Sequence, residues 1–368
     1  MGEITKGSQR NKTVDIAKLI FVLGVFYMHL NRLRQPDEAK AFIFGFLGVE
    51  FFFIVSGYLM ALKANRDSSE HIGKATARFL FRKIQILLPY FIPAQLIGFI
   101  VLNYNQETDT IIRNFFMSIP DTCFLQMAGF SIYKILSPTW YLSAMLLAML
   151  VLYPLLLKKK ENFCYIWAPI IVVFVYGYVF SKSGGSLSVI DPFEGDIIYA
   201  GTLRAFAGIS LGCVLFAVVE KLKKLQIKKL LHGIFIFLEI ACYGTALFLM
   251  RAHSMFRPDF VVLMLFIVAV SISFSGHGLE KHLSKIVKVN WIGKLSTILY
   301  FTDAIAITLA VIILPNKRFA ERIIPCLIIY VIIAALIWVL SILFNLLLKI
   351  AKEKGAKLLV EENKANKD

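Results

Sequence analysis

The sequence predicts an all-α polytopic membrane protein with about ten transmembrane helices and both termini in the cytoplasm. Three observations carry this. First, 58% of the 368 residues are hydrophobic and only 17% charged, with a mean hydropathy of +0.72. A soluble domain carries about 25% charged residues, so this chain has too little polar surface to wrap a water-soluble globule. Second, apolar runs long enough to cross a bilayer recur from end to end, separated by short charged loops. Third, the larger share of its 40 Lys and Arg falls in alternate loops, the bias that sets membrane orientation. The same clustering explains the net charge of +16 without nucleic acid, which is not expected as a partner.

The first span, Val14–Leu33, has no small-residue cleavage site and many spans follow it, so it is not read as a cleaved signal. Phe42–Leu62 and Phe79–Leu102 follow, with six basic residues between Lys63 and Lys83. Asn114–Gly129 is apolar but broken by Pro120 and Asp121, and reads as part of a long outer loop, re-entrant or interfacial. Thr139–Leu157 opens on Pro138-Thr139-Trp140-Tyr141-Leu142, and Lys158–Lys160 closes it. Next come Cys164–Phe180, Leu203–Val219 and Leu231–Met250, with the basic stretch from Lys221 to Lys229 before the last. Phe260–Phe274 is short and needs tilt or its Ser-rich end to cross. Trp291–Leu314 and Ile323–Leu348 complete the set. Residues 1–13 are then a cytoplasmic tail, 14–348 the membrane domain, and 349–368 a charged cytoplasmic end, too short for a second domain and expected to fray. The five cysteines show no CxxC and imply neither disulfides nor a zinc framework.

Few residues in these spans are suited to chemistry. Lys18 and His29 lie eleven positions apart in the first span, just over three helical turns or roughly 16 Å, on one face. Ionisable groups inside a bilayer are costly and mark functional sites by default. Imidazole is the usual general base for activating a hydroxyl, although a buried His can simply bond a neighbouring helix. Asp15, three residues before Lys18, can pair with it while the lysine snorkels. Glu50 falls near the outer end of the second span, where it would orient His29 or merely solvate the helix end. Ser56-Gly57 reads as a close-packing patch, and no GxSxG elbow supports a serine nucleophile.

Arg78, Arg82 and Lys83 are topology signals or, with Lys18, a basic mouth for phosphates. Trp140 and Tyr141 mark an interface or form a platform for a sugar ring. Arg204 is expected to line the outer mouth, with Arg251, His253 and Arg257 solvated in an outer loop. Asp303 lies deep in the ninth span and needs a partner within the bundle, which the sequence does not name. His71, His232, His277 and His282 are read as loop residues without metal-ligand spacing, and HExxH, P-loop, GxGxxG and HxxxxD patterns are absent.

Four stretches, in order, resemble the membrane-bound acyltransferase-3 family. Asp15 to His29 is similar to its first helix, with a basic residue eleven positions before His. Gly48 to Leu59 resembles its G-V-x-x-F-F-x-x-S-G-Y-L stretch, Trp140-Tyr141-Leu142 its W-[FY]-L, and Ile292 to Asp303 its I-G-x-x-S-x-x-x-Y-x-x-H. Two positions depart: Lys18 replaces the usual Arg, keeping the charge without the planar fork, and Asp303 replaces the late His.

The resemblance implies a transmembrane O-acyltransferase, most simply an O-acetyltransferase, acting on a hydroxyl of an extracytoplasmic or cell-envelope glycan. It implies acetyl-CoA or another acyl-CoA as co-substrate, held at Lys18, Arg82 and Lys83, and no metal. His29 would be the general base and Glu50 its orienting carboxylate, with Tyr58 or backbone amides at the oxyanion. Trp140, Tyr141, Arg204 and Asp303 would serve the acceptor carbohydrate. Direct transfer and an acyl-histidine intermediate both stay open. The expected location is the plasma membrane of a bacterium, within the lipid bilayer, with homo-oligomerisation open. The alternative is an exporter or flippase of envelope polysaccharide precursors, in which buried charges line a path.

Overall fold

A computed structural model describes residues 11–130, 133–251, 257–286 and 291–365. Residues 1–10 of the N-terminal tail and His253 lie outside the described residues.

In chain order the helices are α1 (Lys12–His29), α2 (Gly48–Asn65), α3 (Ile72–Asn103), α4 (Thr108–Thr122), α5 (Trp140–Lys158), the single turn α6 (Lys160–Asn162), α7 (Ala168–Ser183), α8 (Ala200–Leu222), α9 (Lys229–Arg251), α10 (Asp259–Ser275), α11 (Glu280–Ile286), α12 (Ile292–Ile313) and α13 (Phe319–Ala365). Among the described residues the chain is helical without strands, apart from one isolated bridge, Pro192 to Tyr199. Among the described residues nine helices are long and apolar enough to cross a membrane. α10, with 17 residues and about 26 Å long, is a shorter apolar helix at the position of the short span expected from the sequence.

Local chemistry sets the ends that matter for the site. The α1 N-terminus is capped by Asn11, whose side chain accepts from the Val14 amide at 3.0 Å. The Lys12 and Thr13 amides donate to the Glu280 carboxylate, so three otherwise orphaned N–H groups are satisfied. At its other end α1 tightens into a 3-10 turn, Leu30–Leu33. The chain then folds back across α1, with Gly45 so close that an added Cβ would lie 2.6 Å from Met28 Cβ. This outer segment is tied to the α12–α13 turn. Arg322 donates to the Leu33 carbonyl at 2.8 Å, and Arg318 pairs with Asp37 at 2.9 Å. α1 therefore packs along α12, and Phe26 stacks on Tyr330 of α13 with ring centroids 4.0 Å apart.

The tightest packing joins α2 to α8. A Cβ at Gly57 would sit 2.0 Å from the Ile209 carbonyl oxygen, and one at Gly212 would sit 2.1 Å from that of Ile54. Backbones approach this closely only where side chains are absent, the role expected of the Ser56-Gly57 patch.

Two elements differ from the sequence reading. α4 turns Asn114, Ser118 and Asp121 into the protein and Phe115, Phe116 and Ile119 outward. Asn114 bonds Asn103, and Asp121 accepts from Gln95 and the Ile135 amide. Its 15 residues are too few to cross. The expected frayed end beyond residue 348 instead continues α13 to Ala365, because that stretch is rich in the helix formers Lys, Glu, Ala and Leu.

Candidate functional site

The centre of the site is a contact between the first and twelfth helices. His29, the last residue of α1, places Nδ1 2.6 Å from Oδ2 of Asp303 on α12. The Asp303 side chain is 5% exposed and the imidazole 18%. With the carboxylate accepting from Nδ1–H, a neutral imidazole held this way presents Nε2 as an acceptor, the arrangement a general base needs. The Asp303 partner that the sequence left unnamed is therefore His29.

This corrects the assignment of Glu50. Its carboxylate, 1% exposed, accepts from Arg204 Nε at 2.7 Å and from the Tyr176 hydroxyl at 2.5 Å. Arg204 is fully buried, not at an outer mouth. Its Nη1 donates to the Val189 carbonyl at 3.2 Å, and its guanidinium lies 5.1 Å from the Trp140 ring centre. The reason is electrostatic: a buried carboxylate and a buried guanidinium, neither able to reach water, neutralise each other first. Trp140 accordingly packs over this pair, while Tyr141, about 100° further round the helix, faces elsewhere and bonds Ser56 at 3.2 Å. Tyr58 stacks on Phe274 and bonds Lys223, so the oxyanion role does not fall to it. His232 and His282 lie in helices α9 and α11, not in loops, and their rings are 5.9 Å apart.

Three hollows surround this framework. A basic vestibule of about 520 Å³ is lined by Lys63, Arg66, Arg78, Arg82 and Lys83. It adjoins an inner cleft of about 290 Å³ through shared Lys83 and Ile86; Lys18, Phe52, Ser56, Tyr141 and Tyr300 complete that cleft. The three cations expected at donor phosphates, Lys18, Arg82 and Lys83, thus line two adjoining hollows, with Lys83 in both. At the other end of α1, His29 lines a pocket of about 670 Å³ with Arg32, Phe44, Ser186 and Arg257, the outer pocket in the orientation expected from the charge bias.

Inner cleft and outer pocket share no lining residue. Aromatic rings make up much of the inner cleft's wall. Tyr141 lies 6.1 Å from Tyr300 and 6.0 Å from Phe52, centre to centre, and the Tyr300 hydroxyl donates to the Pro138 carbonyl. Tyr300 is one turn before Asp303 on α12, and Val22, also lining the cleft, is two turns before His29 on α1. The cleft therefore ends within two helical turns of the dyad.

Sequence reasoning missed Tyr176 as a partner of Glu50 and Arg32 and Ser186 as pocket residues. Nothing in their local pattern marks them, since each acquires its place from a distant helix. A model of the acyltransferase domain family Acyl_transf_3 matches residues 11–348 of the chain. No curated protein and no solved structure matches it.

Proposed function

The chain belongs to this acyltransferase family, and on that premise we propose that it is a transmembrane O-acyltransferase, most simply an O-acetyltransferase, moving an acyl group from cytoplasmic acyl-CoA to a hydroxyl of an extracytoplasmic or cell-envelope glycan. The observation that carries the reading is the His29–Asp303 pair on the wall of the outer pocket. Asp303 holds the Nδ1 proton and faces the free Nε2 to the acceptor. Nε2 takes the proton of the acceptor hydroxyl as its oxygen attacks the thioester carbonyl. The new C–O bond forms, the C–S bond breaks, and the imidazolium returns its proton to the departing thiolate. Asp303 stabilises the imidazolium in between.

The donor side has matching chemistry. Arg78, Arg82 and Lys83 at the vestibule suit the phosphates of a nucleotide-bearing donor, and Lys18 lies deeper, where the cleft narrows. The acyl arm then points along α1 toward His29, and the Phe52, Tyr141 and Tyr300 rings must part for the thioester to pass.

The purified protein is expected to bind acetyl-CoA saturably, at micromolar to millimolar concentration, while His29→Ala binds it equally and transfers nothing. Acyl transfer at the normal rate by His29→Ala sinks the base assignment. No saturable donor binding favours a path for polysaccharide precursors instead.

A further inference from the structure

The pocket around His29 holds more positive charge than proton transfer needs. Arg32 and Arg257 line it. A second hollow of about 550 Å³, which shares Met28, Arg32 and Ile43 with the first, adds Lys40 and Asn31. Arg32, Lys40 and Arg257 are all exposed. Among the described residues none of the three makes an ion pair, and no carboxylate lines either hollow.

The nearby acids are engaged elsewhere. Asp303 faces the His29 ring. Asp37 and Glu38, which precede Lys40, are held by Arg318 at 2.9 and 3.8 Å, and Glu38 also accepts from the Phe319 amide. Asp259, two residues after Arg257, accepts from the Leu187 amide at 2.7 Å. Asp259 thus offsets Arg257 only in part and through space, without an ion pair, and Arg32 and Lys40 face solvent.

Their side of the membrane sharpens the point. Loops facing the exterior are normally poor in Lys and Arg, and these three converge on the side that the charge bias assigns to the exterior. Like charges around a hollow repel one another and raise its affinity for anions. The remaining lining suits a sugar or polyol: Ser186 and Ser188 present linked hydroxyls 2.8 Å apart, and Phe44 and Phe46 supply apolar wall.

We propose that the acceptor is anionic: a saccharide or polyol whose reacting hydroxyl lies close to a carboxylate or a phosphodiester. Arg32, Lys40 and Arg257 hold the anion while the neighbouring hydroxyl meets His29. The proposal rests on the acyltransferase reading of the same pocket and narrows it to a substrate class.

The test uses the full-length protein in nanodiscs and two pairs of charge-matched probes. One pair is a short oligogalacturonide and its methyl ester. The other is an oligo(glycerol phosphate) and the corresponding oligoglycerol. Binding is measured directly, without turnover. At least one anionic probe is expected to bind about tenfold or more tightly than its neutral twin, and to weaken as salt shortens the screening length. Which pair responds identifies the anion as carboxylate or phosphodiester. The preference should vanish in the triple variant R32Q/K40Q/R257Q and return in part with Arg32 and Arg257 changed to Lys, while acetyl-CoA binding reports that the variants are folded. Equal binding of both twins in each pair, no binding of any probe, or a preference that survives the triple variant overturns the proposal. The two readings fail separately. Charge-selective probe binding without acetyl-CoA binding brings down the acyltransferase reading alone; His29-dependent transfer with no charge preference brings down this one alone.

Discussion

Asp303 decides what His29 can do. A lone imidazole at the end of a membrane helix can titrate, flip or bond a neighbour; one bonded at 2.6 Å to a buried carboxylate has, when neutral, a single tautomer and a single free nitrogen. Asp303→Asn keeps the size of the side chain but can donate as well as accept, so it no longer selects that tautomer. A fall in kcat of about 10³–10⁴-fold with donor binding unchanged is expected, read as initial rates of acyl transfer beside an acetyl-CoA titration. Glu50→Gln should behave differently, because it leaves the dyad alone and strands the fully buried Arg204 guanidinium. Breaking a buried pair from one side costs about 3–5 kcal/mol, so its signature is a lower Tm and poorer yield, with the folded fraction still active. If instead Glu50→Gln is fully stable and inactive, the two carboxylates have been assigned the wrong way round. Lys18 and His29 were legible in the sequence because one helix carries both and its pitch dictates their spacing. The His29 partner was not, because 274 positions separate the two.

At the scale of elements, the site depends on helices brought unusually close. α2 carries Glu50, Phe52 and Ser56, and it meets α8, carrier of Arg204, through glycines that leave no room for a methyl group. Gly212→Ala should therefore push the two helices apart and lower thermal stability, since the obstructing atoms are backbone and cannot swing aside. A Tm scan measures this, with Gly177→Ala on α7, where nothing lies within 4 Å, as the control. The small patch on α2 was readable from Ser56-Gly57, but its partner surface on α8 was not, since many helices offer small residues. α4 teaches the same lesson. Its apolar stretch was visible, broken by Pro120 and Asp121, yet that Asp121 turns inward to Gln95 became evident only once α3 stood beside it.

For the whole molecule, the proposed reaction requires a donor on one side to meet an acceptor on the other. The two hollows lie at successive levels along α1 and share no lining residue, and the Tyr141 and Tyr300 rings line the inner one. Tyr300→Ala removes one of them and a bond to the Pro138 carbonyl. With acetyl-CoA present and no acceptor, this variant is expected to hydrolyse the thioester faster than the parent, because water from the outer pocket gains access; an unchanged rate would mean that the rings do not divide the compartments. The ten-span reading of the sequence makes a second prediction. Reporters fused at either end should both signal from the cytoplasm, as the Lys and Arg bias requires, and one exported reporter would break the ten-span scheme.

By itself the sequence determined the membrane class, the apolar helices that carry it, and the two groups stacked on α1, since hydropathy and helical pitch act locally and need no neighbour. Only the tertiary structure decided which carboxylate serves His29, that Arg204 is spent on Glu50, and that Lys18 and Lys83 share one cleft. Those are pairings between helices far apart in the chain. In a bilayer interior, where a charge has no water to turn to, they are settled by which opposite charge the packing brings within reach.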